Sequence, residues 1–463
     1  MEEITCDKIY RKRTLIRILG ISSLTILVLA GVACAAPFAY VTNLGDYSLR
    51  GHYYDTNYNG AIPTPSVAVI DTATNNITAR VPLGDGWPVG VAVNPEGTKV
   101  YVASATIDDV CIVYVIDTAE NTVNTKVNIR SSYPSGITFN PAGTRVYVTK
   151  QRDNTDISVI NPATNTLMAP IIVGPSTYDI AFTPDGKKIY AANSDNNTIY
   201  IIDAATNKVT ANVSVGDSPY EVVVTPDGKK VYVPNYNSST VSVIDTATDN
   251  VTATVPVGDS PHRVAFTSDG NKVYVANNNT VSVIDTATDT VIATVPVGTF
   301  SREIVISPDG SKVYLGNFYN KSVTVINTKT NTVTARVPVG EWPMGIAVTP
   351  DGKKVYVANA ESDNVSVIDT ATDTVIATVN AGIYPTGVVI VPFMDSNMST
   401  QSTEAISNAT EDTEVEKSNL SSSESDNDSS SSGNESSKNN STPGFGLLGS
   451  LTCLYGVWKF RKK

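Results

Sequence analysis

Between residues 40 and 391 the chain repeats one pattern of apolar and polar positions, shown most regularly over Pro343–Gly382. An apolar run, GIAVTP, meets a Pro-Asp-Gly turn. KVYVAN follows, then a polar loop. VSVIDT runs into an Asp-Thr-Ala-Thr turn, and VIATV leads to a connection ending in Gly-x-x-Pro. Proline presets φ and glycine takes the left-handed position, which suits a tight hairpin. The runs are rich in β-branched residues and too short for helices, so each copy predicts a four-stranded antiparallel meander.

A repeat of about 40–50 residues built from four strands predicts an all-β propeller blade. Tyrosine anchors stand at Tyr40, Tyr101, Tyr147, Tyr190, Tyr232, Tyr274, Tyr314 and Tyr356. Third-strand anchors run in parallel at Asp71, Asp117, Asn161, Asp203, Asp245, Asp285, Asn327 and Asp369. Eight anchors of each kind predict an eight-bladed β-propeller, with seven blades as the alternative. The array begins at a second strand, over residues 38–41, and ends on a lone first strand, Pro385–Pro392. Pairing residues 387–391 with 38–42 would complete one blade from both termini and remove the exposed sheet edges of an open array.

The motif Tyr40-Val41-Thr42-Asn43, echoed by YVAN at 274–277 and 356–359, resembles the YVTN family of β-propellers of archaeal surface-layer proteins. The resemblance spans roughly residues 38–392 and implies the propeller fold. Its departures are Tyr147-Val-Thr-Lys, Tyr190-Ala-Ala-Asn and an insertion in the first repeat. That insertion, residues 44–66, carries Tyr47, Tyr53, Tyr54 and Tyr58 and reads either as surface decoration or as a contact loop.

Four segments follow from composition. Residues 1–35 have the layout of a secretory signal peptide: a basic start, the apolar run Ile18–Ala33, then Ala-Cys-Ala. Residues 36–394 are the propeller. Residues 395–442 hold Ser, Thr, Asn and acidic residues with almost nothing apolar to bury, and so predict a disordered stalk. Residues 443–463 join Pro443-Gly444-Phe445 to a short apolar stretch and a basic end. This order resembles the PGF-CTERM sorting signal of archaeal surface proteins, which implies processing by a sorting protease and a C-terminal membrane anchor. On an exported chain the Asn-x-Ser/Thr sequons become candidate glycan sites: Asn76, Asn196, Asn212, Asn237, Asn250, Asn278, Asn320, Asn364, Asn408, Asn419 and Asn427.

The formal net charge of −12 argues against a nucleic-acid partner. Removing both basic ends would leave the chain more acidic still, with Cys111 as its one cysteine. Two histidines in different repeats and no Cys/His cluster give no expected metal or cofactor. No phosphate loop or nucleophile elbow is present, so no catalytic constellation is recognised. The Asp residues that recur in almost every repeat read as turn chemistry.

Candidate chemistry lies where the repeats disagree. In the connection before each first strand stand Trp87, Tyr133, Ser176, Ser218, Ser260, Phe300, Trp342 and Tyr384. Three residues further on stand Gly90, Gly136, Asp179, Glu221, Arg263, Glu303, Gly345 and Gly387. Around the ring this predicts an aromatic-plus-glycine half and a charged half. One reading is ordinary surface variation. The other is a ligand site on Trp87, Tyr133, Trp342 and Tyr384, with Asp179, Glu221, Arg263 and Glu303 opposite. The expectation is an exported envelope module, structural, adhesive or binding, whose partners are envelope proteins or glycans. The alternative is a propeller enzyme of lactonase or lyase type using the charged half.

Overall fold

The computed structural model describes residues 37–45, 64–84, 86–106, 110–129, 133–151 and 156–391. The leader, most of the 44–66 insertion, the stalk and the terminal segment lie outside the described residues. Asn408, Asn419, Asn427, Pro443, Gly444 and Phe445 lie outside with them.

Among the described residues the backbone forms eight antiparallel units of four strands each. Blade 1 is the composite one: its inner strand Pro385–Val391 pairs with Phe38–Asn43, followed by Ser66–Asp71 and Asn76–Pro82. The register runs from Phe38 opposite Val391 to Thr42 opposite Gly387. The inner strands of blades 2 to 8 are Trp87–Val93, Pro134–Phe139, Thr177–Phe182, Val223–Val224, Arg263–Phe266, Ser301–Ile306 and Pro343–Val348. Blades 3 and 4 are also joined by a bridge between Thr177 and Lys150. In blade 3 the outer strand is split into Thr166–Leu167 and Ile171–Ile172, with Pro170 between the pieces, where a ring nitrogen has no hydrogen to give the ladder.

The second and third strands are apolar on both faces because each blade is covered by a neighbour on either side. Tyr40, Val67 and Val69 of blade 1 share one cluster with Val91, Val100, Val102 and Ile116 of blade 2. Outer strands instead alternate exposed and half-buried residues, as a sheet edge facing water should.

One clip recurs around the ring. Each anchor tyrosine is fully buried, and all but Tyr314 donate their hydroxyl to the third-to-fourth-strand turn of the next blade. Tyr101 donates to Asn165 Oδ1 at 2.7 Å, Tyr190 to Asp249 at 2.7 Å and Tyr274 to Asn331 at 2.7 Å. Tyr356 of blade 8 donates to Asn75 of blade 1 at 2.7 Å, and Tyr40 of blade 1 to Asn121 of blade 2, so the clip is also made across the junction of the two chain ends. Every receiving residue has a left-handed φ, from 51° at Asn121 to 58° at Asn75, a conformation that Asn and Asp tolerate. The preceding Asp or Asn of each turn accepts a backbone N–H two residues on, as Asp245 does from Ala247 at 3.1 Å. The recurring acids are thus turn caps.

The asparagine of the motif has a second task. Asn193, Asn235, Asn277, Asn317 and Asn359 are buried against glycines 174, 216, 258, 298 and 340, where an added Cβ would fall 2.6–2.8 Å from the amide side chain. Blade 3 departs: Lys150 takes the asparagine position, buried, with its ammonium 2.9 Å from Asp156.

Candidate functional site

The four charged residues of the sequence reading come together. Asp179, Glu221, Arg263 and Glu303 lie on four successive inner strands or their entrances, around the propeller axis. Arg263 Nη1 is 3.8 Å from Glu221 Oε1, and its Nε is 3.5 Å from Glu303 Oε2. Asp179 Oδ2 accepts the Val222 backbone N–H at 3.2 Å, and Glu221 accepts one from Val264. Each of these carboxylates therefore reaches the inner strand of the following blade. The inner strands are also shortest here: two residues in blade 5 and four in blade 6.

On the other side of the axis, Gly90 and Gly345 meet the neighbouring inner strand closely. A Cβ on Gly345 would lie 2.8 Å from the Thr386 carbonyl oxygen and 3.0 Å from Gly387 Cα. One on Gly90 would lie 3.1 Å from Ile137 and 3.6 Å from the Gly136 carbonyl carbon. Neighbouring inner strands touch backbone to backbone where the charged half uses side chains as spacers. Glycine is needed for that approach.

Trp87, Tyr133, Trp342 and Tyr384 belong to one apolar cluster with Phe300, Phe318 and Met344. The rings are not confined to that half. A contiguous series runs Tyr178–Tyr220 (centroids 4.7 Å), Tyr220–Tyr236 (5.5 Å), Tyr236–His262 (6.4 Å), His262–Phe300 (6.3 Å), Phe300–Phe318 (6.0 Å), Phe318–Trp342 (4.8 Å) and Trp342–Tyr384 (6.2 Å). It spans blades 4 to 8 and ends at the strand that closes blade 1. Tyr178, Tyr220 and His262 directly precede Asp179, Glu221 and Arg263, so the rings extend onto the blades of the charged half. A comparison of that column alone, Val89, Ser135, Tyr178, Tyr220, His262, would have revealed them. His262 is pinned across a blade boundary, with Nδ1 2.8 Å from the Ser260 carbonyl oxygen and Nε2 against that of Ser301.

Backbone conformation separates residues that the sequence aligns. Ser176, Ser218, Ser260, Phe300, Trp342 and Tyr384 all have left-handed φ, 53–58°. Trp87 begins a strand instead, and Gly86, an extra residue, takes the positive φ of 117°.

Of the sequons in the described residues, Asn76, Asn212 and Asn250 are exposed on outer strands and Asn196, Asn237 and Asn320 in loops. Asn278 and Asn364 are half-buried. The Asn237 amide donates to Ser218 Oγ, and Asn364 accepts from Asn359.

Burial raises the Asp179 carboxyl to about 6, against the pull of the Val222 amide and Arg263. Burial also raises Glu221 well above the ordinary range, with Arg263 opposing and Asp179 and Glu303 adding to the rise. Both groups hold protons more tightly folded than unfolded. Their contribution to stability is therefore complete below about pH 4 and is lost as pH rises through their folded values. The turn acids behave oppositely. Asp185 is held at about 2 by the Thr183 hydroxyl and the Lys187 amide, and Asp245, Asp285 and Asp369 are lowered by the amides and hydroxyls of Thr248, Thr288 and Thr372. These lose their contribution as pH falls below about 4. Stability should therefore decline from about pH 4 to neutrality, and Asp179→Asn should remove roughly 3 kcal/mol of that decline. Urea unfolding of both proteins at pH 4 and pH 7 checks this; equal losses in the two would contradict it.

Comparison with known proteins agrees on architecture. The profile of a family described as "Lactonase, 7-bladed beta-propeller" matches residues 246–391, and that of a "YNCE-like beta-propeller" family matches residues 134–234. No curated protein matches the chain. Among solved structures, Kuenenia stuttgartiensis hydrazine synthase is 23% identical, with 62% of this chain and 96% of that one covered and a TM-score of 0.51. Dihydro-heme d1 dehydrogenase NirN, in complex with DHE, is 17% identical, with 77% and 75% covered and a TM-score of 0.60. At these identities the structures speak for fold alone. The chain is a β-propeller of eight blades among its described residues, similar in its second half to a lactonase family of propellers and in its middle to a YncE-like one.

Proposed function

We propose that this propeller is a binding module of the cell envelope, which engages an envelope glycan or protein through the face that carries the blade connections. The observation behind this reading is the unbroken series of rings from Tyr178 to Tyr384, over blades 4 to 8 and on to the entry of blade 1's inner strand. Large side chains at Phe300, Trp342 and Tyr384 occupy left-handed backbone, where glycine would be accommodated at lower cost. A ring at those points is thus kept against a local conformational penalty. Aromatic faces suit the apolar faces of sugars as well as protein side chains. In this reading residues 1–35 direct export, 395–442 form the stalk, and Pro443-Gly444-Phe445 marks the segment whose processing leaves the protein attached to the membrane.

Two experiments test it. The change of Trp87 and Trp342 together to Ala should abolish retention on cell-wall material and glycan arrays while the unfolding transition stays cooperative. Undiminished retention would return both residues to a packing role. Mass spectrometry of protein extracted from the native surface should find no peptide from 446–463, and its recovery would refute the sorting part of the reading.

A second reading is hydrolysis of a lactone, favoured by the family match over residues 246–391, which takes in Arg263 and Glu303. There Arg263 would polarise the ester carbonyl and a neighbouring carboxylate would activate water. Lactone consumption in a pH-stat that Glu303→Gln abolishes would favour it over the first.

A further inference from the structure

One exposed turn of the ring differs from its equivalents. Residues 318–321 link the second and third strands of blade 7 and close on Lys321, at a left-handed φ of 48°. They carry Tyr319, at 56% the most exposed aromatic ring among the described residues, and the sequon asparagine Asn320. Tyr319 meets Phe318 edge to face with centroids 5.0 Å apart, and Phe300 at 5.7 Å. Asn320 Oδ1 accepts the Thr299 backbone N–H at 2.7 Å and the Thr299 hydroxyl at 2.9 Å. The carboxamide is thus tied by its oxygen to the residue before Phe300, and its nitrogen has no partner among the described residues.

The other turns do not combine these features. Asn196 has the same place in blade 4, but there the residue after Gly174 is Pro175, which has no N–H to give. The amide is accordingly reversed. A Cβ on Gly174 would lie 2.7 Å from Asn196 Nδ2, whereas one on Gly298 would lie 2.7 Å from Asn320 Oδ1. Asp195 stands where blade 7 has Tyr319. The Asn237 amide nitrogen is engaged by Ser218 at 2.7 Å, and Asn278 and Asn364 are half-buried.

We propose that Asn320 carries a glycan whose first sugar lies against the ring of Tyr319. The linkage uses the side-chain nitrogen of asparagine, so a carboxamide held by its oxygen alone keeps both hydrogen bonds when it is modified. At Asn237 the sugar would have to share the nitrogen with Ser218. The donor is a lipid-borne glycosyl phosphate. A bond forms between Asn320 Nδ2 and the anomeric carbon, the bond from that carbon to the phosphate oxygen breaks, phosphate leaves with the electron pair, and the amide gives up one proton to solvent. The apolar face of the sugar then covers a ring that is otherwise open to water. This rests on the export part of the proposed function and adds to it a sugar of the protein's own beside the ring series.

Glycopeptide mass spectrometry of protein extracted from the native surface tests the proposal without any variant. The tryptic peptide 313–321 should carry a glycan on Asn320, with lower occupancy at Asn237. Urea unfolding tests the contact with the ring. Asn320→Asp keeps an acceptor for Thr299 and removes the glycan. It should lower the midpoint more in the wild type than in Tyr319→Ala, the difference being the sugar–ring contact. An unmodified Asn320 in protein recovered from the surface overturns the proposal and leaves the envelope reading standing. Occupancy of Asn237 equal to that of Asn320, or equal midpoint shifts in the two backgrounds, does the same. Failure to recover the protein from the surface overturns both.

Discussion

Removal of Pro385–Val391 is expected to abolish the soluble folded state. These seven residues are all buried, and they supply the inner strand of blade 1. Val388, Val389, Ile390 and Val391 alone would forfeit on the order of 10 kcal/mol of apolar burial at about 2–3 kcal/mol each, which is comparable to the whole stability of a typical domain. The loss also uncovers Phe38–Asn43 as an apolar edge strand, a template for pairing with other chains. Gel filtration should show aggregates, and heating should give no cooperative transition. A soluble truncated chain with an unchanged melting temperature would mean that the closing strand is dispensable.

The tyrosine clip gives the second large effect, together with an internal control. Tyr274→Ala empties a fully buried site and should cost about 3–5 kcal/mol, the range for deleting a large aromatic from a core. Tyr274→Phe keeps the packing and loses the bond to Asn331, which should cost about 1 kcal/mol. Tyr314 is equally buried, but its hydroxyl has no hydrogen-bond partner among the described residues. Tyr314→Phe should therefore be neutral or slightly stabilising, since it removes an unsatisfied buried group. Urea midpoints at constant slope would measure all three. Equal costs for the two phenylalanine changes would show that the hydroxyl bonds do not carry the difference.

What could be read from the chain, and what could not, divides along physical lines. The eight tyrosines, the turn residues and the truncated first and last repeats were enough for blade number and for the pairing of 387–391 with 38–42, because strand period and turn chemistry are local. The clip partners were also visible in principle: Asn75, Asn121, Asn165, Asn207, Asp249, Asp289 and Asn331 share one column with Asp373, each a residue that accepts left-handed backbone. Their contact with the preceding blade's tyrosine was not visible, since that depends on how blades stack. The same limit applies at the axis. Glycine at 90 and 345 does not show along the chain what it meets, and the approach of the adjacent inner strand makes it a packing requirement. The clustering of Asp179, Glu221, Arg263 and Glu303 followed from their shared position in successive repeats. Their burial did not, nor did the spread of the rings into the charged half, where Tyr178, Tyr220 and His262 sit one column away from the residues singled out.

The composite blade has a topological consequence. Phe38 lies opposite Val391, so the chain ends of the propeller meet where every other blade carries a short hairpin turn between its inner and second strands. In blade 8 that turn is Thr349-Pro350-Asp351-Gly352-Lys353, with Gly352 at φ 70°. A turn of that kind inserted between 391 and 38 would make the backbone an endless loop of eight equivalent links. The ring then has no first blade, and where its chain begins is a matter of where the loop is cut. A cut in the loop at Asn278–Asn279 would give a circular permutant with the same pairings, the same clips and a different order of synthesis. Folding order and folded structure could thereby be varied separately in one sequence.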